Sequence, residues 1–355
     1  MSGERVVIAM SGGVDSSVAA ALLLEQGYEV IGLMLRLWAE PGGEAENRCC
    51  TLTAVDDARR VAEILNIPFY LINAETPFQE QVVKYFVREY AAGRTPNPCL
   101  MCNRHIRFDL LLQRALALDA RYLATGHYVR LRQADGRYRL FKGVDHSKDQ
   151  SYVLYMLNQK NLAHLLFPLG GYAKKKVREM ARARNLPVAG RPDSQDLCFL
   201  ADGDYRRFLK EKIPNAVQPG EIVNRSGEVL GRHKGLPCYT IGQRRGLGIA
   251  APEPLYVLEI DTERNALVVG TAAELGRSEL TAGEVSFVAG KAPQQPLRVS
   301  AKIRYKAREA PALLRPLPDE RAALYFEQPL RDITPGQGVV FYQGQELVGG
   351  GIIEN

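Results

Sequence analysis

Two rhythms alternate along the first half of the chain. Short apolar runs recur at Arg5 to Met10, Val30 to Leu35, Phe69 to Ile72 and Tyr122 to Thr125, each bounded by Gly, Pro or polar residues. Such runs predict buried strands. Between them, Ser16 to Gln26, Thr53 to Leu65 and Pro77 to Tyr90 carry apolar residues at helical spacing, and Thr53 with Asp56 is spaced like a capping box. Strand and helix in alternation predict a parallel sheet covered by helices on both faces.

The rhythm changes after Gly126. Val129 to Leu131 and Tyr138 to Phe141 flank Asp135-Gly136, which predicts a hairpin. A basic helical stretch follows from Tyr172 to Asn185. Beyond Asp204 the chain is punctuated by Gly and Pro between short strand-like runs (EIVN, EVLG, LYVLEID, ALVVG), and from about Ser278 a further β-rich block runs to the end. The expected organisation is an α/β domain over 1–204, a central β-rich linker domain over 205–277 and a C-terminal β-barrel over 278–355.

Hydrophobic residues make up 46% and charged residues 24% of the 355 positions, a balance that excludes disorder over most of the length. The longest apolar run, Val18 to Leu24, is far short of the ~20 residues that span a bilayer, so no membrane anchor is expected. The opening MSGERVVIAM has neither the apolar core nor the cleavage site of a signal peptide, which predicts a cytoplasmic protein. The net charge of +6 decides little until the cations are placed. Six cysteines in such a chain point to metal binding or thiol chemistry rather than to a disulfide scaffold.

Ser11-Gly12-Gly13-Val14-Asp15-Ser16-Ser17 falls between the first strand and the first helix. The glycines permit a tight turn that presents N–H groups, the hydroxyls of Ser11, Ser16 and Ser17 can add donors, and the helix supplies its positive dipole end. The loop lacks the Gly-Lys-Ser/Thr of a Walker A motif and the dinucleotide GxGxxG. It resembles the PP-loop of ATP pyrophosphatases, which cleave ATP between the α and β phosphates and adenylate a substrate oxygen.

Cys99 and Cys102 lie in RTPNPCLMCN, where Pro96 and Pro98 predict a shaped loop rather than a helix. Cys198 lies in DSQDLCF, also expected to be loop. The CxxC pair fits half a zinc site, but no second pair follows at suitable spacing. Small buried residues are a second reading, suited to Cys238 and also to Cys49 and Cys50. The third is a pair of thiols meeting across a site, one carrying sulfur and the other resolving it. That reading asks for nearby positive charge, and Arg94, Arg104, Arg107 and Arg191 flank the two segments.

SGGVDSS, RTPNPCLMCNRHIRFD, LATGHYVR, HSKDQSYVLYML, RPDSQDLCFL and YTIGQRRGLGI occur in this order, and together they resemble the tRNA-specific 2-thiouridylase family over essentially the whole chain. The resemblance implies a Rossmann-like PP-loop domain, of the adenine nucleotide alpha hydrolase type, that replaces the 2-oxygen of the wobble uridine of tRNA with sulfur. By the same resemblance Ala9, Met10, Ser11, Gly12, Gly13, Val14, Asp15 and Ser16 bind ATP, Met34 and Gly126 line the nucleotide pocket, and Mg²⁺ sits near Asp15. Cys198 carries a persulfide delivered by a cysteine desulfurase or a relay protein, and Cys102 is the nucleophile or resolving thiol. The two then form a transient disulfide. Asn97, Pro98 and Cys99 meet the flipped base, while Lys148, Asp149, Gln150, Arg304 and Tyr305 contact tRNA. Members of the family carry Asp where this chain has Cys99, so Cys99 is not expected to be the essential thiol. If Cys99, Cys102 and Cys198 converge, they become candidate ligands of an iron–sulfur cluster.

Arg298 to Arg308 reads RVSAKIRYKAR, and on a strand Lys302, Arg304, Lys306 and Arg308 would share one face, a phosphate-binding stripe. The basic stretch Tyr172 to Arg191 and the Gln243-Arg244-Arg245 loop are further candidates for tRNA contact. Two rivals remain at this level: a PP-loop amidotransferase or ligase acting on a small metabolite, and a non-catalytic RNA-binding module.

Overall fold

The computed structural model of the chain describes residues 3–40, 51–192 and 197–355. A five-stranded sheet has the order β3-β2-β1-β4-β7, all pairs parallel, formed by β1 (Arg5–Met10), β2 (Glu29–Arg36), β3 (Phe69–Asn73), β4 (Tyr122–Ala124) and β7 (Leu165–Leu166). Val6, Val7 and Ile8 of the central strand are fully buried, as both faces of a parallel sheet require. One face packs the helix Val14–Glu25, whose small and apolar residues Val18, Ala19 and Ala20 are buried against it, together with Leu52–Ile64. The other face supports the helical run from Glu75 to Ala91 and the segment Cys102–Leu110.

Two local expectations change. The second helix begins at Leu52, and its cap is Thr51, not Thr53 with Asp56: Thr51 Oγ1 accepts from Ala54 N at 3.0 Å. The Cys99 segment is not a loop. Pro98 sits at the first helical position, where a missing N–H costs nothing, and Asn97 Oδ1 accepts from Cys99 N at 3.1 Å. The turn Pro98–Met101 then runs on into π-helical Cys102–Leu110.

The predicted hairpin forms as β5 (Val129–Ala134) and β6 (Arg137–Lys142), but it is built into a different sheet from β4. Leu140 and Phe141 pair with Leu347 and Glu346, adding the hairpin to the C-terminal sheet. That sheet closes on itself as an antiparallel barrel of β12 (Arg277–Phe287), β15 (Arg321–Leu330), β14 (Ala310–Leu317), β13 (Leu297–Lys302), β16 (Gly338–Gln343) and β17 (Glu346–Ile353), with β12 also pairing β17. Leu280, Ala301, Leu314, Leu324 and Phe341 fill its interior. Between the two lies a four-stranded sheet, β10-β11-β8-β9, made of β8 (Gly220–Val223), β9 (Val229–His233), β10 (Tyr256–Asp261) and β11 (Ala266–Gly270).

The three parts meet at Thr95. Its N–H donates to Pro335 O at 2.9 Å, its carbonyl accepts from Gln337 Nε2 at 2.8 Å, and its hydroxyl lies 3.4 Å from that of Thr240. Here the expected cationic stripe fails. β13 ends at Lys302, and Arg304 to Ala307 form a turn closed by a 3.0 Å backbone bond. Arg304 points inward, donating to Ile241 O at 2.9 Å and to Thr334 Oγ1. Alternating polarity described the segment, yet the joint between barrel and central sheet claims one of its four cations.

Candidate active site

β1 lies between β2 and β4, so connections leave it in opposite directions. Such a switch point opens a crevice at the carboxyl ends of the strands. Ala9 and Met10 end β1 there, and the loop from Ser11 to Gly13 turns into the helix whose first residue is the buried Val14. Gly12 takes φ +67°, and a Cβ at that position would lie 2.3 Å from Ala54 O, so only glycine serves. Gly126, just past β4, brings its backbone against the loop: a Cβ there would stand 3.0 Å from the Ser16 nitrogen. Met34 pairs with Met10 across the β1–β2 register and is buried.

The serines divide their work. Ser16 Oγ accepts from Ser11 N at 3.2 Å and donates to Gly13 O at 3.1 Å, and the fully buried Ser17 donates to the same carbonyl at 2.9 Å. Ser16 and Ser17 therefore brace the loop from inside, while Ser11 remains partly exposed at its rim.

Sequence reasoning missed the cations of this loop. Lys174, placed by its neighbours among RNA-facing residues, is buried, and its ammonium donates to both oxygens of Asp15 at 2.8 and 2.7 Å. Tyr128 Oη donates to Asp15 Oδ1 at 2.7 Å. Lys174 opens the helix Lys174–Ala183, and its backbone N–H is held by Asp145 Oδ2 at 2.9 Å. Arg191, expected beside Cys198, donates to Gly12 O at 2.9 Å and to Asp57 Oδ2 at 2.5 Å. Two cations from distant segments thus flank a loop already rich in N–H donors, an arrangement suited to polyphosphate. The available signal was the Lys-rich start of a helix, which by itself reads equally as a solvated face. Lys174 and Tyr128 engage the Asp15 carboxylate, so a Mg²⁺ beside it would be held mainly by phosphates and water.

Beyond Gly126, His127 is buried and its Nδ1 lies 2.8 Å from Thr125 Oγ1. Burial, aided by the Arg107 charge, lowers its pKa to about 3, so the imidazole is neutral at physiological pH.

Cys99 is exposed on the first helical turn, and Cys102 and Cys198 are half-buried, packed against one hydrophobic core that includes Leu100, Met101 and Phe199. Cys238 lies apart in the central module, its thiol pKa pushed up by burial. Cys49 and Cys50 lie outside the described residues. Among the described residues no three of His, Cys, Asp or Glu stand together closely enough to hold a single metal ion.

The segments expected at tRNA do come together. Tyr305 Oη lies 3.5 Å from Asp149 O, its ring packs edge-on to Tyr152 at 5.8 Å, and Cys99 and Asp149 both act on its phenol electrostatically. Within this patch Asp149 shapes the loop, accepting from Gly143 N at 3.0 Å and Ser151 Oγ at 2.8 Å, and Gln150 Oε1 accepts from Tyr128 N at 3.0 Å. Lys148 sits in the turn that Asp145 O closes at 3.0 Å.

A phosphate loop at the switch point of a parallel sheet, in a chain that continues into a β-barrel, defines an α/β protein of the PP-loop class with added β modules. Family models match in the same order: a tRNA methyl transferase HUP domain over residues 4–202, a tRNA methyl transferase PRC-barrel domain over 206–271 and an aminomethyltransferase beta-barrel domain over 277–353. The chain is 52% identical over 361 residues to the tRNA-specific 2-thiouridylase MnmA of Pelotomaculum thermopropionicum, covering 100% of this chain and 98% of that one. It is 53% identical to MnmA 2 of Caldanaerobacter subterraneus subsp. tengcongensis, covering 99% and 98%. It is 50% identical to MnmA of Carboxydothermus hydrogenoformans over the same shares. The chain belongs to the tRNA-specific 2-thiouridylase family.

Proposed function

We propose that this chain is a cytoplasmic, ATP-dependent sulfurtransferase that converts the wobble uridine of tRNA to 2-thiouridine and releases AMP and pyrophosphate. The observation that carries the reading is the pairing, in one chain, of a cation-flanked phosphate loop with the thiols Cys102 and Cys198 on a shared core. The loop from Ala9 to Ser16, with Met34 and Gly126 behind it, holds ATP, and Asp15 holds the Mg²⁺ that offsets phosphate charge. The uridine 2-oxygen attacks the α-phosphorus and pyrophosphate leaves, which turns a poor leaving group into AMP.

Cys198 receives sulfur as a persulfide from a desulfurase or relay partner. In one route its terminal sulfur attacks uridine C2, AMP departs, and the Cys102 thiolate then attacks the Cys198 sulfur, freeing 2-thiouridine. In the other, Cys102 attacks first and releases hydrosulfide, which displaces AMP. Both leave a Cys102–Cys198 disulfide that a thiol reductant reopens. Asn97, Pro98 and Cys99 border the extruded base. Lys148, Asp149, Gln150 and Tyr305 form the adjoining tRNA surface, with Arg304 beneath it at the module joint.

The test is an anaerobic assay with the purified full chain, ATP, Mg²⁺, tRNA and a persulfide donor, with iron content measured on the same sample. Nucleoside digests should contain 2-thiouridine, and Cys102→Ser and Cys198→Ser should each abolish it while tRNA affinity stays within about twofold. Wild-type yield in either variant would refute the two-thiol scheme.

A further inference from the structure

One buried charge has no part in the chemistry above. Glu40 follows β2 by a few residues and is only 7% exposed; two residues before it, Trp38 packs edge-on to Phe208 on the same core as Phe199. Its backbone N–H donates to Phe199 O at 3.2 Å, and its Oε2 accepts from Ala201 N at 3.1 Å. Glu40 therefore grips both sides of Leu200, two residues after Cys198. Cys198 itself lies in a turn closed by Leu200 N to Leu197 O at 3.3 Å.

The carboxylate is held in turn by Arg207. Both terminal guanidinium nitrogens donate to it, each at 2.7 Å, a planar fork that fixes direction as well as distance. The same guanidinium donates to Asp202 at 2.7 and 3.1 Å and to Glu211 at 3.0 Å. Asp204 caps the helix Tyr205–Lys212 that carries it. Charge pairing lowers the Glu40 pKa, the Arg207 bond being the largest cause. On the apolar side, Phe199 is locked edge-on among Phe78, Phe86 and Phe208 at 5.3 to 6.0 Å.

A structural ion pair of this kind ordinarily joins two elements of the core. This one joins the segment after β2 to the helix after Cys198, and the backbone its carboxylate clasps, at Ala201 N, directly follows the cysteine turn. We propose that Glu40 and Arg207 are positioning residues that hold the Cys198 thiol in its sulfur-accepting and sulfur-delivering pose. The proposal rests on the reading of Cys198 as the sulfur carrier. Both residues act through the turn and touch no substrate.

Glu40→Gln keeps the shape and loses the charge, and Arg207→Lys keeps the charge and loses the fork. The full chain is assayed with ATP, Mg²⁺, tRNA and a persulfide donor for pyrophosphate release, for 2-thiouridine, and for iodoacetamide alkylation of Cys198 by mass spectrometry, with Cys99 alkylation as internal reference. The expectation is a fall of about 10- to 100-fold in 2-thiouridine formation, the scale of a misplaced reacting group. Pyrophosphate release should stay within about twofold, and the ratio of Cys198 to Cys99 alkylation should shift. Equal loss of pyrophosphate release and thiolation in both variants, with an unshifted alkylation ratio, would reduce the clasp to a fold support. No change in any readout would overturn it outright. Cys198→Ser runs alongside: if it still makes 2-thiouridine the carrier reading fails, and the alkylation ratio still reports on the clasp by itself.

Discussion

The Lys174–Asp15 pair offers the sharpest quantitative test of the phosphate site. Lys174→Met removes an ammonium whose side chain is 11% exposed and leaves Asp15, 33% exposed, with the Tyr128 hydroxyl and water. A hydrogen bond to a charged group contributes about 1.5–3 kcal/mol, and the partial exposure of Asp15 keeps the loss near the lower half of that range. Asp15→Asn strands the ammonium instead, with a similar loss. The double variant strands neither charge. We therefore expect each single variant to unfold about 4–8 °C earlier, the double variant to be no worse than either, and a coupling energy of about 2 kcal/mol. Denaturation of the four proteins by urea, followed by far-ultraviolet circular dichroism, measures it. Saturating MgATP at ~100 times its Kd should add about 2.7 kcal/mol to the wild type and less than half of that to Lys174→Met. Single-variant effects that add within ~0.5 kcal/mol would show that the pair does not hold the loop, and equal MgATP protection in Lys174→Met would show that the cation does not serve the phosphates.

Three further outcomes follow from particular residues. Gly12→Ala forces a Cβ against Ala54 O at a positive φ, and should destabilise by more than ~1 kcal/mol and abolish MgATP protection in a thermal-shift assay; an unchanged protein would misplace the loop. His127 has a folded pKa lowered to about 3, so the unfolded chain takes up a proton below pH ~6.5 that the folded chain does not. Its stabilising contribution is complete above that pH and declines as pH falls toward 3, by about 1.4 kcal/mol per unit; the urea-unfolding free energy of His127→Gln should lose that part of the slope. Arg304→Ala removes a charge-assisted bond that joins the barrel to the central module at Ile241 O and a second one within the barrel domain to Thr334, and should lower the unfolding midpoint by several degrees, with the salt dependence of tRNA binding little changed; a flattened salt slope at unaltered stability would make Arg304 a phosphate contact instead.

The α/β rhythm, the hairpin at Asp135-Gly136 and the phosphate loop were all legible, because strand and helix periods and glycine turns are written into neighbouring residues. The cysteine segment shows where such local reasoning turns on one position: Pro98 argues against a helix interior but suits a helix start, and Asn97 beside it tips the choice. The Thr51 cap is a shift of the same local kind.

What the sequence by itself determined was the class of chemistry: a phosphate loop, thiols in two separated motifs, and a parallel sheet to carry them. Partners were decided only in three dimensions. Lys174 lies 159 residues from Asp15, Arg207 lies 167 from Glu40, and Arg304 lies 63 from Ile241. In the sequence each is one more cation in a polar stretch, with the same local pattern whether it faces water, phosphate or a buried carboxylate. The difference comes from which surfaces the closed sheet and barrel bring together. Burial turns a pairing that is weak in water into one that holds a loop in place.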